Sequence, residues 1–152
     1  MNSFADSLKE SSAFFELLKS SYARVVGKDL VTAGQDASWL YCHAPFALLA
    51  HDTSPDPCFI YANRTAQSCF EYSWEDIVQL RSRFSAEAPD RLERQRQLEE
   101  VAGKGYVSGY RGIRISRSGR RFWIENGVIW QLLDANGISH GQAAVFDSWR
   151  PV

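Results

Sequence analysis

The sequence predicts an α+β fold: an antiparallel sheet of about five strands with short helices on one face, preceded by an N-terminal amphipathic helix. Three observations predict it. The last third of the chain holds three β-rich runs, Tyr106 to Ser116, Arg121 to Leu133 and Ser139 to Asp147, separated by Arg117-Ser118-Gly119-Arg120 and Asp134-Ala135-Asn136-Gly137. Both separators carry hairpin chemistry, so the runs form an antiparallel meander. The stretch from Phe59 to Ile77 reads as strand, Asn cap, short helix, turn and second short helix. Phe4, Leu8, Phe15, Leu18, Tyr22 and Val25 step by four and three, with Ser11 in the one polar place, which makes residues 3 to 26 an amphipathic helix.

Taken in order, that first helix ends at Gly27. Its stripe suits either the body of its own domain or, as an alternating seam, the helix of a second subunit. A loop through Gly34 and Asp36 leads to Trp39-Leu40-Tyr41, and Phe46 to Ala50 forms a first strand or its approach. Cys58 to Tyr61 is a short strand, since Pro55 and Pro57 upstream cannot sit in a central ladder. Asn63 can accept from the free amides of a helix starting at Arg64 or Thr65. Ser73, with Asp76 three residues on, resembles a weakened capping box for a helix through Ile77 and Leu80. Asp90 to Ala102 is a longer helix, with Leu92, Leu98 and Val101 on one stripe and arginine and glutamate on the other; Gly103 and Gly105 close it. Along Arg121 to Leu133, apolar residues fall on both parities unless a bulge at Asn126-Gly127 resets the count. Both faces of that strand need cover, and the N-terminal helix is the obvious candidate for the outer one. The expected division is a helical cap over residues 1–34 and a sheet domain over 35–152.

Bulk properties exclude several function classes. The chain has 152 residues, 45 % hydrophobic and 23 % charged, ordinary values for one soluble domain with a sizeable core. A net charge of −1 gives no global field for nucleic acid or an acidic membrane. Asp6 and Glu10 stand where a secretory peptide needs a basic start and an apolar core, and no apolar run approaches the roughly 20 residues of a membrane span. A cytoplasmic location is expected. Cys42, Cys58 and Cys69 have no CxxC spacing and read as reduced thiols.

The search for chemistry yields few groups. His43, His51 and His140 are scattered, without metal-site spacing, so no metal is expected. His51-Asp52 is adjacent in an extended segment, where neighbours point to opposite faces. No nucleophile elbow, phosphate loop or dinucleotide fingerprint occurs. Arg111, Arg114, Arg117, Arg120 and Arg121 cluster in one hairpin beside Tyr106 and Tyr110, a mixture that could meet phosphates or bases, or could pair with Glu71, Glu87 or Asp90. Arg111 shares the parity of Val107, Ile113 and Ile115. If that face is the buried one, its guanidinium needs a carboxylate partner such as Glu125 or an anionic ligand.

The strand ending in Tyr61-Ala62-Asn63, the Glu71-Tyr72-Ser73 turn and the hairpin around Arg117 to Arg120 together resemble a PAS domain. More narrowly, ALLAHD (Ala47 to Asp52), DPCFIYANRTAQ (Asp56 to Gln67), FEYSW (Phe70 to Trp74), SRFSAE (Ser82 to Glu87) and GYRGIRISRSGRRF (Gly109 to Phe122) resemble the MEKHLA domain, a PAS-like module. The resemblance covers roughly residues 35 to 150. That family ends class III homeodomain leucine-zipper transcription factors in plants and stands alone in bacteria; this chain is similar to the stand-alone form.

The resemblance implies a non-enzymatic sensory, ligand-binding or protein-interaction module. Flavin photoreceptors of the LOV type carry a reactive cysteine in an Asn-Cys-Arg-Phe motif, where this chain has Arg81-Ser82-Arg83-Phe84. Ser82 cannot form that adduct. Some haem-binding relatives use a histidine on the long helix, and Asp90 to Ala102 has none. What remains is an unidentified organic ligand between helices and sheet, with Arg111, Tyr61, Trp74 and Trp123 as its expected contacts, or a purely protein-binding role. A homodimer through the N-terminal helix is expected, with a regulatory protein as a further partner. The competing readings are a small enzyme using His51 or Cys58 and a nucleic-acid accessory factor using the Arg111–Arg121 hairpin.

Overall fold

The computed structural model describes residues 8–152. Helix α1 spans Ser12–Val25. It starts later than the apolar stripe suggests, because Ser11 is its cap: the hydroxyl accepts the Phe14 amide at 3.1 Å. Phe4 lies outside the described residues. Gly27, at a φ of 81°, closes the helix by donating to the carbonyls of Tyr22 and Ala23.

Helix α2 (Ala37–Cys42) leads into β1 (Ala47–His51) and β2 (Phe59–Ala62). Helix α3 (Arg64–Phe70) and the single turn α4 (Trp74–Ile77) follow, capped by Asn63 and Ser73 as their sequences require. A 3₁₀ turn at Ser82–Ser85 and the long helix α5 (Ala88–Lys104) complete the helical layer. Then come β3 (Tyr106–Ile115), β4 (Arg121–Leu133), β5 (Ser139–Phe146) and β6 (Ser148–Pro151).

The described strands form one antiparallel sheet in the order β2-β1-β5-β4-β3. Strand β6 continues along β4 where β5 leaves it, pairing Phe122 to Glu125 while β5 pairs Val128 to Leu133. The bulge at Asn126-Gly127 is present. Asn126 adopts a φ of 54°, and β4 has one residue more than β3 between the Tyr110–Gly127 and Gly112–Ile124 pairs. Phe122, Ile124, Gly127 and Ile129 therefore face the helical layer, while Val128, Trp130 and Leu132 face the other side.

Helix α1 covers that outer side with its own stripe. Trp130 is fully buried, its indole N–H donates to Ser21 Oγ at 3.0 Å, and its ring meets Tyr22 edge-on at 4.8 Å between centroids. Phe14 packs on Tyr61 at 5.4 Å, and Arg24 donates to the Leu133 carbonyl. This corrects the expected use of the stripe. Leu8, Phe15, Leu18 and Tyr22 are each at most 8 % exposed in the single chain, so they cannot also meet a second subunit unless α1 first leaves the sheet.

Helix α5 differs from its sequence reading as well. Leu92 is 62 % exposed, and the buried line runs through Arg94, Leu98 and Val101, with Gln97 beside it. Packing against β3 turns the helix so that an arginine faces inward.

Strand β5 enters the sheet at Gly141, whose φ of 130° suits only glycine and whose α-carbon lies against the backbone carbonyl of His51. A Cβ there would be driven into that oxygen. Gly141→Ala is expected to cost on the order of 3 kcal/mol, measurable as a lowered urea midpoint, and to shift His51 and Gln142. An unchanged midpoint would mean that the β1–β5 contact is loose.

Candidate functional site

A cavity of about 70 Å³ lies between the inner sheet face, the 3₁₀ turn and α5. Its walls are largely apolar, with Leu49, Phe59, Phe70, Ile129 and Phe146 among them. His51, Arg94, Gln97, Arg114 and Gln142 break that surface, with the hydroxyl-bearing side chains of Ser85 and Tyr110 beside them.

Arg114, Arg94, Gln142 and His51 are each placed by a local device. Gly112 has no side chain, so the Tyr110 ring lies across it and brings its face to 5.3 Å from the Arg114 guanidinium carbon. Arg114 Nη1 donates to the Ile113 carbonyl at 2.9 Å. Arg94 donates to the hydroxyl of Ser82, which is itself fully buried in the 3₁₀ turn. Gln142 Nε2 donates to the Leu98 carbonyl at 3.1 Å and ties β5 to α5. His51 does not pair with the Asp52 carboxylate. Its Nδ1 lies 2.9 Å from the Asp52 backbone carbonyl, while the carboxylate accepts from the amides of Ser54 and Cys58.

The electrostatics are unusual for an interior. Burial, aided by the neighbouring charge of Arg114, pulls Arg94 down to about 10. Burial also lowers the His51 pKa, so the ring is neutral near pH 7. Four buried side-chain polar atoms among the described residues have no hydrogen-bond partner, and three of them, His51 Nε2, Gln97 Oε1 and Gln142 Oε1, belong to this cavity. Buried polar atoms are normally satisfied, so their concentration in one wall singles this cavity out as the candidate site.

The expected ligand contacts fall elsewhere. Arg111 does share a face with Ile113 and Trp123, but it is the outer face. Its side chain is 49 % exposed, stacked 3.7 Å from the Trp123 ring centroid and 3.6 Å from Glu125 Oε2. The alternative partner, Glu125, is the one it takes. Parity grouped Arg111 with Ile113 and Ile115 correctly but misjudged which group is inside, because Tyr110, Gly112 and Arg114 form the buried face of β3, and an irregularity between Val107 and Tyr110 puts Val107 opposite Ile129 on the inner face instead. Tyr61 and Trp74 are buried with Tyr41 in an aromatic cluster between α1, α2 and α4, where the seam beside Leu8, Phe14 and Leu18 leaves no free volume. A slip in pairing between β1 and β2 turns Phe59 to the cavity and Tyr61 to α1.

The remaining candidates are accounted for by their neighbours. Arg117, Arg120 and Arg121 pair with Asp76, Glu71 and Glu87 at 2.7, 3.5 and 3.4 Å, so the hairpin is not an open basic face. Cys58 is half-buried outside the cavity, and burial pushes the Cys69 thiol up to about 12, away from reactivity. Among the described residues no cluster of three or more His, Cys, Asp or Glu could hold a metal, and no helix is long and apolar enough to cross a membrane. The reading from sequence missed Arg94. Its spacing of four and seven residues before Leu98 and Val101 was the available signal.

Comparison with known proteins agrees with this architecture. The description of the MEKHLA domain matches residues 12–151. No curated protein matches the sequence. Among solved structures, the chain is similar to the PAS domain of a protein from Colwellia psychrerythraea, at 15 % identity and a TM-score of 0.61 over 74 % of this chain and 90 % of that one. It is similar to a PAS domain from a two-component sensor histidine kinase, at 22 % identity and a TM-score of 0.56 over 75 % and 91 %. It is also similar to the LOV domain of a blue-light activated histidine kinase from Erythrobacter litoralis, at 18 % identity and a TM-score of 0.53 over 68 % and 94 %. The fold is that of PAS and LOV domains.

Proposed function

The chain belongs to the MEKHLA domain family, and from that membership and the cavity under its sheet we propose that it is a cytoplasmic sensory module that binds a small ligand without converting it. The single observation that carries this reading is the set of three partnerless polar atoms on side chains that line one space together with two buried arginines. Occupancy of that space has a short route to the surface. Ile129 faces the cavity, and the next residue, Trp130, holds α1 through Ser21. A ligand that moves β4 moves the helix covering the far face, where a regulatory partner or second copy could read the change on the outward side of α1.

An enzyme reading keeps one supporting feature, the unprotonated His51 Nε2 in the cavity wall. A base needs a reacting group beside it, and the serine hydroxyl in the lining, that of Ser85, is already committed, donating to the Ser82 carbonyl at 2.7 Å. Binding is the better use of these groups.

Native mass spectrometry of the full chain purified from its own host tests the proposal. The expected result is a native mass above that of the denatured chain by one small molecule. A bare native mass, together with no thermal shift from any small acid or neutral compound, would remove ligand sensing and leave protein interaction as the function.

A further inference from the structure

Two guanidinium groups stand in the cavity wall with neutral hydrogen-bond partners only among the described residues. Arg94 is 6 % exposed and Arg114 is 8 % exposed, and among the described residues neither has a carboxylate within salt-bridge distance. Like charges buried together, each answered by one hydroxyl or carbonyl, are strongly unfavourable unless an anion lies between them. Arginine presents a planar fork of donors that matches a carboxylate in two parallel hydrogen bonds.

The other three polar groups have the opposite character. The Asp52 carbonyl can only accept, so the His51 proton sits on Nδ1 and Nε2 is left as an acceptor without a donor. Gln97 Oε1 and Gln142 Oε1 are buried acceptors without donors. A bare carboxylate would satisfy the arginines and leave these three unanswered; a hydroxyl on the same molecule supplies a donor to one of them. The space of about 70 Å³ is roughly half that of a cavity known to admit benzene, which limits the molecule to about two to four carbons.

Resting on the sensory reading above, we infer that the cavity binds a short hydroxy acid, its carboxylate between Arg94 and Arg114 and its hydroxyl donating to His51 or to one of the two glutamine carbonyls. The apolar walls formed by Leu49, Phe59 and Phe146 accept its carbon chain.

Calorimetric titration and thermal melts of the full chain with lactate, acetate, propane-1,2-diol and inorganic phosphate test this. Lactate is expected to bind and raise Tm, acetate to bind at least tenfold more weakly, and the neutral diol not to bind. Arg114→Gln is expected to weaken lactate at least tenfold while leaving the unliganded Tm unchanged or higher, since it removes a buried charge that has no anionic partner among the described residues. A purely structural arginine would lower that Tm instead, and this result would overturn the inference. Should Arg114→Gln not fold, Arg94→Lys, which keeps the charge and loses the fork, must weaken lactate in its place. Asp90→Asn, one turn before Arg94 along α5, must leave the unliganded Tm in place; a marked fall would show Arg94 neutralised from within and would also overturn it. If the diol binds as well as lactate, or phosphate binds in preference to both acids, the hydroxy-acid assignment fails while the ligand-carrying cavity stands. If none of the four binds and the native mass is bare, both fail together.

Discussion

Asn63→Ala should destabilise the protein by on the order of 3–5 kcal/mol, well beyond the roughly 0.5–2 kcal/mol of a lost helix cap. The side chain is fully buried and makes four hydrogen bonds. Its Oδ1 accepts from the amide of Ala66, as the cap of α3, at 3.0 Å and from the amide of Leu48 in β1 at 3.1 Å. Its Nδ2 donates to the carbonyls of Leu40 and Phe46 at 3.2 and 2.9 Å. One amide therefore joins α2, β1 and α3, and alanine would strand four backbone groups in a dry interior, each costing about 1–3 kcal/mol before relaxation. Urea unfolding of the variant measures this directly. Asn63→Asp keeps the acceptors, loses the donors and adds a buried charge, so it should be at least as damaging. A loss within the range of an ordinary cap would mean that water replaces the interior bonds and that the hub is only a helix start.

Removing residues 1–26 should abolish cooperative folding of the remaining chain or drive it to associate. Phe14, Phe15, Leu18 and Tyr22 are all at least 92 % buried, and each such side chain contributes about 1.5–3 kcal/mol when withdrawn from water. Their sum, on the order of 6–12 kcal/mol, rivals the whole net stability of a typical domain. The deletion would also bare Tyr61 and Trp130 and leave the Trp130 indole without its Ser21 acceptor. Light scattering with near-ultraviolet circular dichroism reads both effects. A truncated chain that melts cooperatively as a monomer at the original temperature would show that α1 is an accessory to the sheet and not its cover.

Much of the fold was legible because its signals are local. Ser73 and Asn63 cap the helices that follow them, Gly119 and Gly137 take the positive φ that their hairpins demand, and the Asn126-Gly127 bulge is where two conflicting parities along β4 placed it. The candidate site was much less legible. Arg111 and Arg114 stand three residues apart on one strand, and their faces are separated by whichever side the sheet turns to the helices. Hydropathy could not choose, because Ile113 and Ile115 are half-buried on the outer face while the inner face carries Tyr110, Gly112 and Arg114. Arg94 was hidden for a related reason: an arginine among glutamates reads as solvated until the neighbouring strand turns it inward.

The sequence by itself determined the order of the elements, their caps and turns, the need for cover on both sides of β4 and the family, since each depends on residues within a few positions of one another. Tertiary structure alone decided that α1 spends its apolar stripe on its own sheet, that Asn63 serves three elements at once, and that Arg94 and Arg114 meet beside His51 in the interior. Those outcomes depend on strand register and helix rotation, which are set by packing across the whole core and which the local pattern leaves open between alternatives.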